Sequence, residues 1–203
     1  MIKNFLHTIL SVFLHPVAIL VYFTYIMLTH STLAFFLIDP NFGRSFFSYV
    51  ILMSVIFPVI LLFVARLHKR NYILSFKKEN SRTLLIFAVY FVLIAIFAHT
   101  QIALLSVLQQ LPAVLAVILL IFNELAETNS HIATISSFAT TLILLSILLN
   151  INFLTIILVT IILLGVFLFL LFEKELVSLK TTLVSVGTGV VSTCLYFLIL
   201  YLL

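Results

Sequence analysis

The stretch of residues 83–126 most constrains the fold, because its only charged residue is Glu124. As one α-helix it would be about 66 Å long, which is about twice the thickness of the hydrocarbon core of a bilayer. The chain therefore has to turn within this stretch, and the polar places for a turn are His99–Gln101 and Gln109–Pro112. The sequence thus predicts two membrane-spanning helices here in place of one.

Composition places the rest of the chain in a membrane as well. Of the 203 residues 65% are apolar and 8% are charged, whereas a globular domain averages about 45–50% and about 25%. So few charged side chains cannot cover a soluble fold of this length, which excludes a soluble enzyme, a disordered tail and a secreted disulfide scaffold. The predicted fold is all-α, a single polytopic transmembrane helix bundle of six to seven spans. The expected spans lie near residues 5–28, 46–64, 83–105, 111–125, 133–149, 153–172 and 183–203.

The Lys and Arg residues are concentrated on one side of the predicted membrane. If the connections alternate between two sides, nine of the ten fall on the side of the N-terminus and only Arg44 falls on the other. Because cytoplasmic loops carry such an excess, we expect the N-terminus in the cytoplasm and the C-terminus outside. The same rule accounts for the net charge of +4, so no nucleic-acid partner is predicted. The nine are Lys3, Arg66, Lys69, Arg70, Lys77, Lys78, Arg82, Lys174 and Lys180.

Three polar clusters precede spans on that same side, at residues 77–82, 124–131 and 173–180. Lys and Arg side chains together with helix N-termini can bind an anionic lipid headgroup. The alternative is that these charged loop ends only set the topology and anchor the helices. On spacing alone, this alternative is the commoner case.

His131 is the titratable side chain of greatest interest, because it follows Asn129–Ser130, a helix-capping pair, at the start of an apolar run. An imidazole there can act as a general acid or bind a phosphate oxygen, or it can simply reach from the interface to water. Glu124, Glu127 and His131 would suit a metal on one continuous helix, but the capping pair predicts a break between them. We therefore expect no metal and no cofactor.

Small residues form a stripe along the last span. Such stripes let transmembrane helices approach closely. The span after His131 carries small residues in the same way, so we expect these two helices to pack against each other. The stripe consists of Ser185, Gly187, Thr188, Gly189, Ser192 and Thr193.

Four passages, spread over most of the chain, share the layout of a known family. They are F-L-H-P-V-A-I-L-V-Y at 13–22, A-R-L-H-K-R-N-Y-I-L-S-F-K-K-E-N-S-R at 65–82, N-S-H-I-A-T at 129–134 and L-V-S-V-G-T-G at 183–189. In the same order, they look like a His-Pro pair near the start of the chain, a basic loop that ends in an acidic-Asn-x-Arg element, a short motif whose His begins a later span, and a helix that contains glycine. In these passages the chain resembles a branch of the type 2 phosphatidic acid phosphatase superfamily, compact multi-pass proteins common in Bacteroidota.

The resemblance implies a six-helix core in the bacterial inner (cytoplasmic) membrane that cleaves lipid phosphate monoesters without a metal. In the family a basic first motif holds phosphate, a His of the second motif protonates the leaving group, and a His of the third attacks phosphorus. Carried over to this chain, Lys77, Lys78 and Arg82 stand at the first motif and His131 at the second, with Ser130 beside it as a headgroup contact.

The third motif is missing from this chain. Aligned on Gly187, the position of the nucleophile falls at Leu179 and that of its carboxylate partner at Leu183, and leucine cannot attack phosphorus. The resemblance therefore implies a non-catalytic relative that keeps a contact with lipid headgroups. Two alternatives stay open: an active lipid phosphatase with a displaced nucleophile such as His68, and a structural subunit of a membrane complex or a small transporter. Membrane lipids are the expected partners, and a membrane protein or a second copy of the chain stays open as a further one.

Overall fold

The fold is that of a computed structural model, which describes residues 79–97 and 103–202 together with a few single positions between 19 and 60. The expected spans near 5–28 and 46–64 lie almost entirely outside the described residues. So do His68, Lys77 and Lys78. Contacts divide the chain into two compact units, one formed by Met1–Ile19 and Ile121–Leu203, the other by Leu20–Leu120.

The two described stretches consist of helices joined by short connections and contain no strand, which confirms the all-α prediction for this part of the chain. Three of the described helices are long and apolar enough to cross a membrane, as expected for the spans near 133–149, 153–172 and 183–203. In order, the five helices are α1 Glu79–Phe97, α2 Ala103–Leu125, α3 Ser130–Leu149, α4 Leu154–Glu173 and α5 Leu179–Leu202.

Of the two candidate places for the turn, one lies within a helix, and the other, His99–Gln101, lies outside the described residues. Gln109–Pro112 lies inside α2, a continuous helix of 23 residues, and α1 ends at Phe97, before the expected end near residue 105. Pro112 removes a single backbone hydrogen bond, whereas a turn in an apolar environment would leave several N–H and C=O groups unpaired. A helix that runs through the proline is therefore the less costly arrangement.

Two helix ends are closed by residues other than glycine. At the end of α4 the Glu175 N–H donates to the Phe172 carbonyl at 3.0 Å and the Leu176 N–H to the Leu171 carbonyl at 3.0 Å. This pair of bonds is a Schellman motif, and it needs the left-handed conformation that Glu175 adopts, with φ of 53°. Asn150 takes the same conformation at the end of α3, where asparagine is tolerated best after glycine.

Helix α3 is the centre of its unit. Nine of its 20 residues are buried, against four of 20 in α4 and eight of 24 in α5. One cluster of buried side chains joins α3 to α4 and includes an N-terminal residue. Val177 and Val186 pack against this cluster from the chain before α5 and from α5 itself. The cluster consists of Ile19, Ile132, Ile135, Phe167 and Leu171.

The predicted contact between α3 and α5 is confirmed. At Gly189 the backbones come so close that an added Cβ would overlap the Ala133 carbonyl oxygen and lie 2.9 Å from Ser136 Cβ. Nearby, the Ser137 and Thr193 hydroxyls form a buried hydrogen bond of 2.7 Å between the helices. Most of the other hydroxyls along this seam bond to the carbonyl four residues earlier in their own helix, so they can be buried without losing a partner.

The other unit contains α1 and most of α2, which meet through small and aromatic side chains. Ala88 and Phe91 of α1 form a buried cluster with Ala113 and Ala116 of α2. Alanines on α2 let the phenylalanine ring lie close to the helix backbone, which is the packing that transmembrane helices favour.

A single methyl group at Gly189 should test the α3–α5 contact. We expect Gly189→Ala to lower the free energy of unfolding by about 1–3 kcal/mol. The added methyl group would overlap the backbone of α3 at Ala133, which cannot move away without shifting the helix. Gly187→Ala is the matched control on the same helix, since nothing lies within 4 Å of its added Cβ. Thermal unfolding in detergent micelles measures both. Equal losses of stability in the two variants would contradict the packing described here.

Candidate functional site

The start of α3 is capped by the side chain of Asn129. Its Oδ1 accepts hydrogen bonds from the His131 N–H at 3.0 Å and the Ile132 N–H at 3.3 Å. These are two of the N–H groups that a helix N-terminus could otherwise offer to an anion. The predicted helix break before His131 is thus confirmed. Because of this cap, the backbone N–H groups of His131 and Ile132 already have a hydrogen-bond acceptor within the protein.

Asn129 also ties α3 to α5. Its backbone N–H donates to Ser185 Oγ at 2.8 Å, and the Ser185 hydroxyl donates in turn to the Thr181 carbonyl at 2.6 Å. Ser185 has no exposed surface, so the connection is shielded from solvent. The first turns of the two helices are thereby fixed to each other at the end of the unit where the polar clusters lie.

Asn123 is a polar residue of this region that sequence reasoning missed. It is 2% exposed, and its Oδ1 accepts a hydrogen bond of 3.1 Å from the Thr128 hydroxyl, which joins the last turn of α2 to the chain before α3. A signal was present in the sequence, because a lone amide in an apolar run is expected to have a partner when buried. Its neighbour Glu124 has Oε1 buried without a hydrogen-bond partner among the described residues.

His131 lies half-buried at the beginning of α3, beside an aromatic ring. Its imidazole centroid is 5.9 Å from that of Phe167 on α4, with the rings tilted by 53°. Phe167 is 1% exposed and belongs to the hydrophobic cluster of this unit. Ser130, also half-buried, accepts at its carbonyl a hydrogen bond of 2.7 Å from the Thr134 hydroxyl. The predicted pair Ser130 and His131 thus stands where a polar loop meets the apolar core.

The charged residues in the C-terminal part of this unit are mainly acidic. Residues 121–202 carry four glutamates and two lysines. Glu127, Glu173, Glu175 and Lys180 are exposed, while Glu124 and Lys174 are half-buried. Arg82 lies in the first turn of α1, in the other unit. Among the described residues no group of three His, Cys, Asp or Glu could hold a metal ion.

Leu179 and Leu183 stand where the resemblance would place the nucleophile and its carboxylate partner. They are 67% and 63% exposed. Thr182 and Ser185 of the same helix are buried, and residues two apart on a helix point about 200° from each other. Leu183 therefore projects away from the face of α5 that packs on α3. Neither leucine shares the buried face that carries Ser185.

These elements define a helical membrane protein with a polar end, where a capped α3 and a short α4–α5 loop meet. Three of its helices are long and apolar enough to cross a bilayer. Comparisons with known protein-family models, with curated proteins and with solved structures found no match. Function has therefore to be argued from the residues of this end.

Replacement of Asn129 should show what the cap contributes. We expect Asn129→Ala to lower the free energy of unfolding by about 1 kcal/mol, the usual cost of removing a helix cap. Asn129→Asp should keep most of the stability, because a carboxylate accepts the same two N–H bonds and is favoured at a helix N-terminus. Thermal unfolding in micelles compares the three proteins. Equal destabilisation by Asp and Ala would contradict the capping role.

Proposed function

We propose that this chain is a non-catalytic membrane protein related in layout to the type 2 phosphatidic acid phosphatases, with a polar end that contacts lipid headgroups. In this proposal it lies in the bacterial inner membrane and crosses it six to seven times. The N-terminus is cytoplasmic and the C-terminus outside. The three apolar helices α3, α4 and α5 support the membrane location, and the skew of Lys and Arg supports the orientation.

The exposed leucines carry the non-catalytic part of the proposal. A nucleophile and its orienting carboxylate have to converge on one reacting atom within hydrogen-bond distance. Leu179 and Leu183 have neither the chemistry nor the direction for this, because they project outward from α5. On the buried face of the same helix stands Ser185, whose hydroxyl already donates to the Thr181 carbonyl. A serine used in this way is a structural link and not an activated nucleophile.

The headgroup contact of the proposal rests on the basic first cluster. Lys77, Lys78 and Arg82 supply the positive charge that a phosphate monoester needs. Lys174 and Lys180 are poorer candidates, because Glu173 and Glu175 lie close to them in the sequence. In the proposal, Ser130 and His131 at the start of α3 are headgroup contacts of their own unit.

An assay of hydrolysis tests the first part. We expect the purified protein, in detergent and in vesicles, to release no phosphate from phosphatidic acid or from an undecaprenyl-type diphosphate. It should give the same background as His131→Ala, because no residue at the third motif can attack phosphorus. Release that is lost in His131→Ala and kept in the control His99→Ala would overturn the proposal. A trapped phosphohistidine lost in His68→Ala would establish an active phosphatase with a displaced nucleophile.

Retention of lipid during native mass spectrometry tests the second part. We expect the triple variant Lys77→Ala, Lys78→Ala, Arg82→Ala to retain several-fold less phosphatidic acid than the unchanged protein. The matched control Lys174→Ala, Lys180→Ala removes two lysines whose charge is balanced by nearby glutamates, so retention should stay the same. A loss in the control alone, or in neither variant, would count against the basic cluster as the headgroup contact.

A further inference from the structure

The loop between α4 and α5, residues Lys174–Ser178, has hydrogen bonds at both ends and one side chain packed inward. The Schellman motif bonds Leu176 N–H to the Leu171 carbonyl, and the next residue, Val177, packs against the hydrophobic cluster of the unit. The hydroxyl of Ser178 then caps α5 by accepting a hydrogen bond of 3.1 Å from the Thr181 N–H. Because Val177 occupies the inward place, Leu176 is directed outward.

Leu176 extends an exposed apolar face that runs the length of α5. It is 58% exposed, and the next outward residues of this face are Leu179 and Leu183. The face continues toward the C-terminus with Val190 and Leu198, both exposed. On a helix that crosses a membrane such a face borders lipid. The two leucines before residue 183 are therefore continuous with a lipid-facing surface, although glutamates and lysines surround them in the sequence.

The length of α5 places these leucines at the edge of the bilayer. The 24 residues of the helix span about 36 Å, whereas the hydrocarbon core is about 30 Å thick. Lys180 is the last charged residue of α5, and a charged side chain is costly inside the hydrocarbon, so the core begins near Leu183. Leu179 then lies about 6 Å outside the core, within the depth at which interfacial segments bury apolar side chains.

The charges of this segment balance. Glu173, Lys174, Glu175 and Lys180 are two carboxylates and two ammonium groups. Lysine side chains at this depth can extend to water while their stems lie along apolar surface. A balanced segment gains little from the surface charge of anionic lipids. Its affinity for the membrane should therefore come from its leucines.

We propose that Leu176 and Leu179 form an interfacial anchor, inserted into the glycerol and upper acyl region of a phospholipid leaflet. The anchor fixes how deeply the polar end of this unit sits at the membrane surface. It requires that α5 crosses the bilayer, and it does not depend on the headgroup contact proposed above.

Site-directed spin labelling tests the anchor. The only cysteine, Cys194, is replaced by alanine, and single cysteines are placed at Leu176, Leu179, Leu183 and Glu175. The labelled proteins are reconstituted in vesicles of phosphatidylcholine and phosphatidylglycerol, and accessibility to oxygen and to a nickel chelate is measured. We expect an oxygen-to-nickel ratio at 176 and 179 several-fold above that at 175 and below that at 183. The ratio should not change in phosphatidylcholine alone.

Three results would overturn the anchor. A ratio at 176 and 179 equal to that at 175 would place the loop in water. Immobilised spectra with low accessibility to both reagents would show that another protein or a second copy of the chain covers the leucines. A ratio that falls when phosphatidylglycerol is omitted would show attraction by lipid charge. The fluorescence of an environment-sensitive dye on the same cysteines gives an independent measurement, with a blue shift expected at 176 and 179 relative to 175.

Discussion

The close approach of α3 and α5 at Gly189 determines the rest of the unit. In a bilayer apolar side chains gain little by leaving lipid for another helix, so helices associate through van der Waals contact and hydrogen bonds. Gly189 allows the backbones to touch, and this contact brings Ser137 and Thr193 within hydrogen-bond distance. The same packing places Ser185 Oγ within hydrogen-bond distance of the Asn129 N–H. The polar end of the unit is thus a consequence of how the two helices pack in the middle.

Local sequence was enough to predict this contact. In a membrane, a stripe of small and hydroxyl-bearing residues on one helix mainly serves close packing against another helix. Both α3 and α5 carry such residues, so the pattern predicts that these two helices pack together. The capping pair before His131 was equally informative, because Asn at a cap acts on the next three residues only. The prediction of a turn at Gln109–Pro112 was wrong for a related reason. A proline signals a turn in water, whereas in an apolar environment the unpaired groups of a turn cost more than the bond that proline removes.

The surroundings of the candidate site could not be predicted in the same way. Phe167 and Ser185 reach the start of α3 from other helices, and Ser185 is 56 residues from its partner Asn129. Their positions follow from the packing of whole helices, for which no local pattern exists. The outward direction of Leu179 and Leu183 likewise depends on which face of α5 meets α3. The sequence predicted their chemistry, and packing determined their direction.

The polar groups at the start of α3 are already hydrogen-bonded within the protein, which affects how a phosphate could bind there. A helix N-terminus binds an anion through its unpaired N–H groups, and Asn129 Oδ1 already accepts from two of those of α3. A phosphate there would have to displace the asparagine side chain, and residues 121–202 carry twice as many glutamates as lysines. The balance of hydrogen bonds and charge therefore opposes a phosphate held by α3 alone. The proposed headgroup contact therefore depends on the basic residues that precede and begin α1.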